Sequence, residues 1–328
     1  MKVVIDTSYV RRGPSGTATY LEQLVPALRS LGIDVREVAE RRPHRYTNLA
    51  AEAAWQLRVA RAARGADVLH HPLPALIPGV RTPQVVTVHD LAFLRVPECF
   101  RARFRAQAVP RHRRAARSAA AVVVPSAATA ADLRALWAVP AENIVVAPHG
   151  PGRAPAPERS GARHFLYVGD AEPRKNLDRL LAAHAQYRAG AGAGALPLVL
   201  AGPAHGHRTG PGVTHAPDPD LPELLAHAAA LVFPSLYEGF GLPALEAMHA
   251  GTPVLAARTA GLAEVCADAA RYCDPRDPES IAAGLAELAA TPPLREELRR
   301  RGQARAAQFA WESCARAHVD AYTLATRT

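Results

Sequence analysis

The sequence predicts an α/β protein made of two successive open sheets of parallel strands. Three observations carry that prediction. Short apolar runs alternate with longer helix-like stretches along the whole 328-residue chain, the order expected of parallel strands joined by crossover helices. The alternation breaks at residues 151–161, PGRAPAPERSG, where Pro, Gly and Arg follow one another without periodicity, as in an interdomain linker. Beyond it the same order restarts. The length allows two domains of about 150 residues each, and a hydrophobic content of 49% supports a core in both.

In the first half, Val3–Ile5, Val68–His70, Val85–Val88, Ala121–Val124 and the shorter Asn143–Ala147 read as strands. They are continuous apolar runs, the kind that a parallel sheet buries on both faces. Thr19–Leu31, Leu49–Ala63, Arg103–Arg117 and Thr129–Trp137 read as the helices between them. In the second half, Phe165–Val168, Leu198–Ala201 and Leu231–Phe233 read as strands, with a further one reaching Ala257. Leu177–Tyr187 and Leu221–Ala229 read as helices, Pro278–Phe309 as a helical region and Trp311–Leu324 as a last amphipathic helix. Residues 189–195, AGAGAGA, read as a flexible connector, and 202–212 as a loose loop. The domain reading is therefore 1–155, 156–308 and a closing helix at 309–328.

Composition narrows the function classes. No stretch approaches 18 apolar residues without charge, so no transmembrane helix is expected. The opening MKVVID runs straight into a strand pattern without a signal-peptide core, which points to the cytoplasm. Cys99, Cys266, Cys273 and Cys314 have no CxxC or zinc-type spacing and read as reduced structural thiols. Residues 1–160 carry 23 Lys+Arg against 12 Asp+Glu, whereas residues 161–328 carry 16 against 18. The basic surplus lies in the first half, with arginines at 101, 103, 105, 111, 113, 114 and 117. Such a half suits an anionic surface, including the inner membrane face; a solvated arginine-rich helix face has the same composition. Aromatics make up 5% of the chain and do not interleave with the arginines, which argues against a nucleic-acid platform. Of 39 basic residues only Lys2 and Lys175 are lysine. A lone internal lysine in a chain that uses arginine everywhere else marks a site that needs a compact ammonium charge.

The most informative stretch is Leu231–Ala257, LVFPSLYEGFGLPALEAMHAGTPVLAA, read as strand, polar loop, helix and strand. Gly239 and Gly241 let the loop backbone approach a ligand. Pro243 suits a helix start, and Gly251 followed by Pro253 suits its end. Glu238 then sits in the loop, and Glu246 one turn into the helix near the same mouth. The free amides at the helix start favour an anion, and the two carboxylates suit sugar hydroxyls, a combination that describes a nucleotide-sugar pocket. An ordinary βα turn with acidic caps is the plainer alternative, and two glutamates at this spacing do not by themselves separate the two.

The pattern Glu238-x-Phe240-Gly241-x4-Glu246 resembles the two-glutamate signature of family 4 retaining glycosyltransferases. That resemblance implies the GT-B fold, two Rossmann-like domains with parallel sheets facing across a cleft. Val168–Asn176, VGDAEPRKN, is similar to the Glu-Pro-Arg-Lys-Asn segment of a large subgroup. It places Arg174 and Lys175 after a strand, where fixed cations stabilise a departing diphosphate. Some relatives carry arginine directly after the glycine, where this chain has Asp170, so Arg174 takes that role. Gly13–Tyr20 opens a helix, and Gly16 matches a glycine whose amides approach phosphate. Val85–Leu91 resembles the Val-His-Asp segment, whose histidine, here His89, approaches the donor sugar and acceptor; a buried structural imidazole is the alternative. Pro125-Ser126, Pro148-His149-Gly150 and Gly202-Pro203 occupy similar strand edges. Asp218-Pro219-Asp220 could ligate a metal but reads better as a helix cap at Asp220, and His205-Gly206-His207 reads as a solvated loop.

The expected function is a retaining glycosyltransferase. It moves a hexose, mannose first, from a nucleoside diphosphate donor, GDP- or UDP-linked, to a hydroxyl acceptor in glycan, glycolipid or glycosylated-metabolite biosynthesis; the basic half suits a lipid-linked acceptor, and a soluble small molecule is the alternative. Candidate catalytic residues are His89, Arg174, Lys175 and Glu238. Candidate donor-binding residues are Gly16, Gly202, Phe240, Gly241, Leu242 and Glu246, with no metal and no separate cofactor. The rival readings are a nucleotide-sugar epimerase on the same scaffold and a basic membrane- or nucleic-acid-binding protein with a degenerate pocket.

Overall fold

The computed structural model describes residues 1–8, 10, 15–39, 49–152, 161–202, 210–217 and 219–327. The chain divides into two units: Met1–Leu91 with Ala102–Gly152 and Ala310–Thr328, and Ala92–Arg101 with Arg153–Phe309. From the N-terminus run β1 (Lys2–Asp6), α1 (Gly16–Ser30), β2 (Asp34–Val38), α2 (Leu49–Ala62), β3 (Val68–His71), β4 (Gln84–Thr87), α3 (Ala92–Arg95), α4 (Ala102–Ser118), β5 (Ala121–Val124), α5 (Ala127–Trp137) and β6 (Ile144–Val146). There follow β7 (His164–Val168), α6 (Leu177–Ala191), β8 (Leu198–Ala201), β9 (Val213–Ala216), α7 (Leu221–His227), β10 (Ala228–Phe233), α8 (Leu242–His249), β11 (Val254–Ala257), α9 (Ala260–Cys266), β12 (Arg271–Cys273), α10 (Pro278–Ala290), α11 (Pro292–Ala306) and α12 (Trp311–Ala325).

The first unit holds a parallel sheet of order β2-β1-β3-β4-β5-β6. Val3, Ile5, Val68, Val85, Ala121 and Val123 pack against α1 and α12 through Tyr20, Leu21, Leu24, Ala315, Ala321 and Tyr322. Serines start two of its helices. Ser15 Oγ accepts from the Ala18 amide at 3.1 Å, and Ser126 Oγ accepts from that of Thr129 at 3.0 Å, each satisfying an amide the first turn leaves unbonded.

A buried polar chain fastens α12 to this unit, and its proton positions follow from its partners. His318 Nδ1 faces the Cys314 carbonyl at 2.7 Å, so Nδ1 carries the proton and Nε2 accepts. Tyr20 then donates to His318 Nε2 at 2.7 Å. With its own proton committed, Tyr20 accepts from Thr87 Oγ1 at 2.9 Å. Thr87 in turn accepts from His70 Nε2 at 2.8 Å, and His70 Nδ1 accepts from the Tyr322 hydroxyl at 2.8 Å. The chain starts and ends on α12, crosses β3, β4 and α1, and is complete only with both imidazoles neutral.

The second unit holds a parallel sheet of order β12-β11-β10-β7-β8-β9. The order reverses at β7, which lies between β8 and β10. The carboxyl ends of β7 and β10 therefore form the topological switch point where open α/β sheets bind ligands. Residues 92–101, which periodicity leaves in the first half, belong to this unit. Ala92 and Val96, with Cys99 and Phe100, pack against Leu236 and Tyr237, and Arg276 reaches Glu98 at 3.4 Å.

Several expectations change in detail. The alanine-glycine run at 189–195 is no free connector: α6 continues to Ala191, and a 3-10 turn occupies Gly192–Gly194. The stretch Pro278–Phe309 is two helices, since Pro292 and Pro293 begin a new one. Residues 13, 14, 203–207 and 218, and most of the expected linker, lie outside the described residues. Among the described residues no helix is long and apolar enough to cross a membrane.

Candidate active site

The loops after β7 and β10 bring together three of the expected site residues. After β7, Tyr167 donates to the Asp170 carbonyl at 2.6 Å, and a 3-10 turn at Pro173–Lys175 presents Arg174 and Lys175. After β10, the Leu236 amide donates to the Arg174 carbonyl at 2.8 Å, so the two loops are joined through their backbones. Lys175 Nζ then donates to Glu238 Oε1 at 2.8 Å, and Arg174 Nη1 lies 3.1 Å from the same oxygen. Arg174 Nε also donates to Glu172 at 2.9 Å. The Lys175 ammonium sits 4.8 Å from the Phe233 ring centroid, within range of a cation–π contact.

Burial by itself would push the Glu238 carboxyl up, but the charges of Lys175 and Arg174 outweigh it and hold it at about 2. Glu238 is ionised at any ordinary pH, and each cation at the switch point already has a carboxylate beside it. Sequence reasoning assigned Arg174 and Lys175 to a diphosphate and Glu238 to a sugar. In this structure the three form one ion-paired cluster, which a ligand would have to share.

The other expected residues of this unit lie on the loops after β8 and β10 and on α8. Gly241 precedes α8 with φ 104°, a conformation that favours glycine, and Leu242 and Pro243 open the helix. Glu246 is buried on α8. The Phe240 ring is part of the core, edge-on to Phe309 at 5.9 Å. Gly202, after β8, packs so closely on the β7 loop that a Cβ would lie 2.5 Å from the Gly169 carbonyl oxygen.

Two residues that sequence reasoning left out shape the same loops. A Cβ on Gly261, in the first turn of α9, would overlap the Glu238 carbonyl oxygen and come within 2.8 Å of Gly239 C. Asn176 has φ 64° and is 4% exposed, with its amide bonded to loops remote in sequence. Asn176 closes the Glu-Pro-Arg-Lys-Asn segment and Gly261 follows the two-glutamate stretch, and sequence reasoning gave neither a role of its own.

Comparison with known proteins covers most of the chain. Residues 14–151 match the family described as Glycosyltransferase Family 4, and residues 153–305 match Glycosyl transferases group 1. The O-antigen chain mannosyltransferase B of Escherichia coli is 31% identical over 301 residues, covering 83% of this chain and 77% of that protein. This chain belongs to the family 4 glycosyltransferases. Its fold is GT-B. The sucrose-phosphate synthase of Thermosynechococcus elongatus superimposes with a TM-score of 0.77 at 22% identity, over 98% of both chains. The Anabaena protein HepE, solved with UDP-glucose, does so with 0.74 at 18% identity, also over 98% of both.

In this glycosyltransferase Gly16 and His89 lie in the first unit. Gly16 is the first residue of α1, and among the described residues a Cβ there would meet no atom within 4 Å. His89 follows β4. One ring nitrogen bonds the Pro72 carbonyl, while Nε2 is buried without a hydrogen-bond partner among the described residues. Burial lowers the His89 pKa against the opposing pull of Asp90 and the Pro72 bond. The ring is therefore neutral, with the proton on Nδ1 and a bare acceptor at Nε2. Asp220 caps α7, accepting from the Glu223 amide at 3.1 Å, as its sequence context suggested; its neighbour Asp218 and the pair His205 and His207 are outside the described residues.

Proposed function

We propose that this glycosyltransferase moves a hexose, mannose first, from a nucleoside diphosphate sugar to a hydroxyl acceptor with retention of configuration and without a divalent metal. The observation that carries the reading is the Lys175–Glu238–Arg174 cluster at the switch point of the second sheet. The mannosyltransferase relative favours mannose, and the UDP-glucose complex of a neighbour of the same fold favours a nucleotide-sugar donor.

The chemistry follows from charge. As the bond from the sugar carbon to the β-phosphate oxygen breaks, negative charge grows on the diphosphate. Fixed cations at that point stabilise the transition state more than the bound donor. Lys175 and Arg174 would face the diphosphate while Glu238 holds a sugar hydroxyl and keeps the ammonium aimed. The amides opening α8 add positive potential, and Glu246 would accept from the ribose. The acceptor oxygen attacks from the face the diphosphate leaves, and its proton passes to the departing phosphate oxygen. His89 Nε2 can accept from a hydroxyl and orient it. The acceptor is proposed to be lipid-linked, with the basic first unit resting on an anionic surface.

The test is transfer and donor hydrolysis across a panel of GDP- and UDP-sugars, with product anomers assigned by NMR. Turnover of GDP-mannose with retained configuration is expected, unchanged by chelator. Inversion, or loss on chelation with rescue by magnesium or manganese, would overturn the mechanism. A product with an inverted sugar still on its nucleotide would make the protein an epimerase.

A further inference from the structure

Asn176 occupies the residue before α6, the place where an asparagine side chain normally caps a helix by accepting from an amide in the first turn. Here it makes no cap bond. One hydrogen of its amide goes to the Pro234 carbonyl at 3.0 Å, the other to that of Pro275 at 2.6 Å, and its oxygen accepts from Arg179 Nη1 at 2.9 Å. Pro234 begins the loop that carries Glu238, and Pro275 lies in the loop after β12. One buried side chain thus ties three chain segments beside the cation pair. The backbone is equally specific. At φ 64° and ψ 31° Asn176 is left-handed, a region where asparagine is the best tolerated residue after glycine. That twist ends the 3-10 turn of Arg174 and Lys175 and starts α6 in a new direction.

We propose that Asn176 is a positioning residue for the donor diphosphate, holding Lys175 and Arg174 in register with Glu238 by bonding the loops after β7, β10 and β12 to one another. The proposal rests on the donor reading above and extends it to a residue that touches no reacting atom. The amide is suited to the task because it alone combines tolerance of the left-handed backbone with two donors and an acceptor. Glycine keeps the backbone and loses all three bonds. Aspartate keeps the shape and the bond from Arg179, and turns a carboxylate toward two carbonyl oxygens.

The experiment uses the full chain with Asn176→Gly, Lys175→Ala and the double variant. Asn176→Gly leaves the backbone unstrained, so far-UV circular dichroism should match the wild type. Its affinity for UDP and GDP by calorimetry, and its kcat with the best donor, should fall by about tenfold or more, the scale of a misplaced charge stabiliser. In the Lys175→Ala background the same change should have a smaller effect than in the wild type, since only the Arg174 share of the positioning remains to be lost. Equal losses in both backgrounds would make Asn176 merely structural and overturn the proposal, as would wild-type binding by Asn176→Gly. A second readout needs no ligand: the Glu238 carboxyl, followed by carbon NMR, should titrate higher in Asn176→Gly because its cations are no longer held against it. A wild type that binds neither nucleotide would sink the donor reading alone. The carboxyl titration would still decide whether Asn176 positions the cations, and an unshifted Glu238 would overturn that.

Discussion

Acid should unfasten the closing helix before it disturbs the donor cluster. The hydrogen-bond chain from Tyr322 to Cys314 works only with neutral His70 and His318. A proton on His318 Nε2 would face the Tyr20 hydroxyl that now donates to it, leaving two donors for one contact. Burial pushes His318 from its ordinary 6.5 down to about 4, opposed by its bond to the Cys314 carbonyl and aided by His89. The sign follows from linkage. Between those values the unfolded chain binds a proton that the folded chain refuses, so stability is full above pH 6.5 and is lost as pH falls toward 4. A displacement of this size corresponds to roughly 3 kcal/mol in total, of which about 2 kcal/mol is lost by about pH 5. Against a typical margin of about 5–15 kcal/mol for a whole domain, that is a substantial share. His71 and His112, each also lowered to about 4 by burial, add in the same direction, so the effect of His318 must be isolated. Urea unfolding near pH 7.5 and near pH 5 for the wild type and His318→Gln does so. The variant should be less stable near neutrality, and its loss on acidification should be smaller by about 2 kcal/mol. Equal acid losses in both proteins, or a His318 ring proton titrating near 6.5, would refute the bond directions derived for the chain.

Three further outcomes follow. Lys175→Arg should lower kcat/KM by about a hundredfold or more, since a planar fork does not replace a point charge held between Glu238 and the Phe233 ring; wild-type kinetics would defeat the argument from the lone lysine. Gly261→Ala should move the Glu238 loop and cost about 1–3 kcal/mol of stability together with at least tenfold in turnover; an unchanged urea midpoint and rate would show that α9 can give way. The first unit should co-sediment with anionic but not neutral vesicles at low salt, because Arg103, Arg111, Arg113, Arg114 and Arg117 are exposed on α4 beside an exposed Phe104, each arginine contributing about 1 kcal/mol near such a surface. Equal binding to both vesicle types, or to neither, would leave the arginines as a solvated face.

What could be read from the sequence, and what could not, divides along physical lines. β5, β8 and β10 were legible because a strand buried on both faces is apolar throughout, and their burial patterns are nearly complete. β2, β9 and β12 were not. Asp34-Val35-Arg36-Glu37-Val38, Val213-Thr214-His215-Ala216 and Arg271-Tyr272-Cys273 are edge strands, half-solvated and polar, and local pattern does not separate them from loops. In the site, Lys175 stood out through residue usage, and Glu238 and Glu246 through spacing, because each of those signals is local. The pairing of Lys175 with Glu238 spans 63 residues and exists only because β10 lies beside β7. The bonds of Asn176 span 58 and 99 residues, and the constraint on Gly261 is one of space rather than backbone conformation. Strand order is thus what turns two separate motifs into one charged cluster. It also explains why the Glu238 carboxylate can be both buried and ionised: its counter-charges arrive from a different strand, fixed by backbone bonds that neither motif contains. A buried carboxylate without them would be neutral, and it would neither orient an ammonium nor accept from a sugar hydroxyl with full charge.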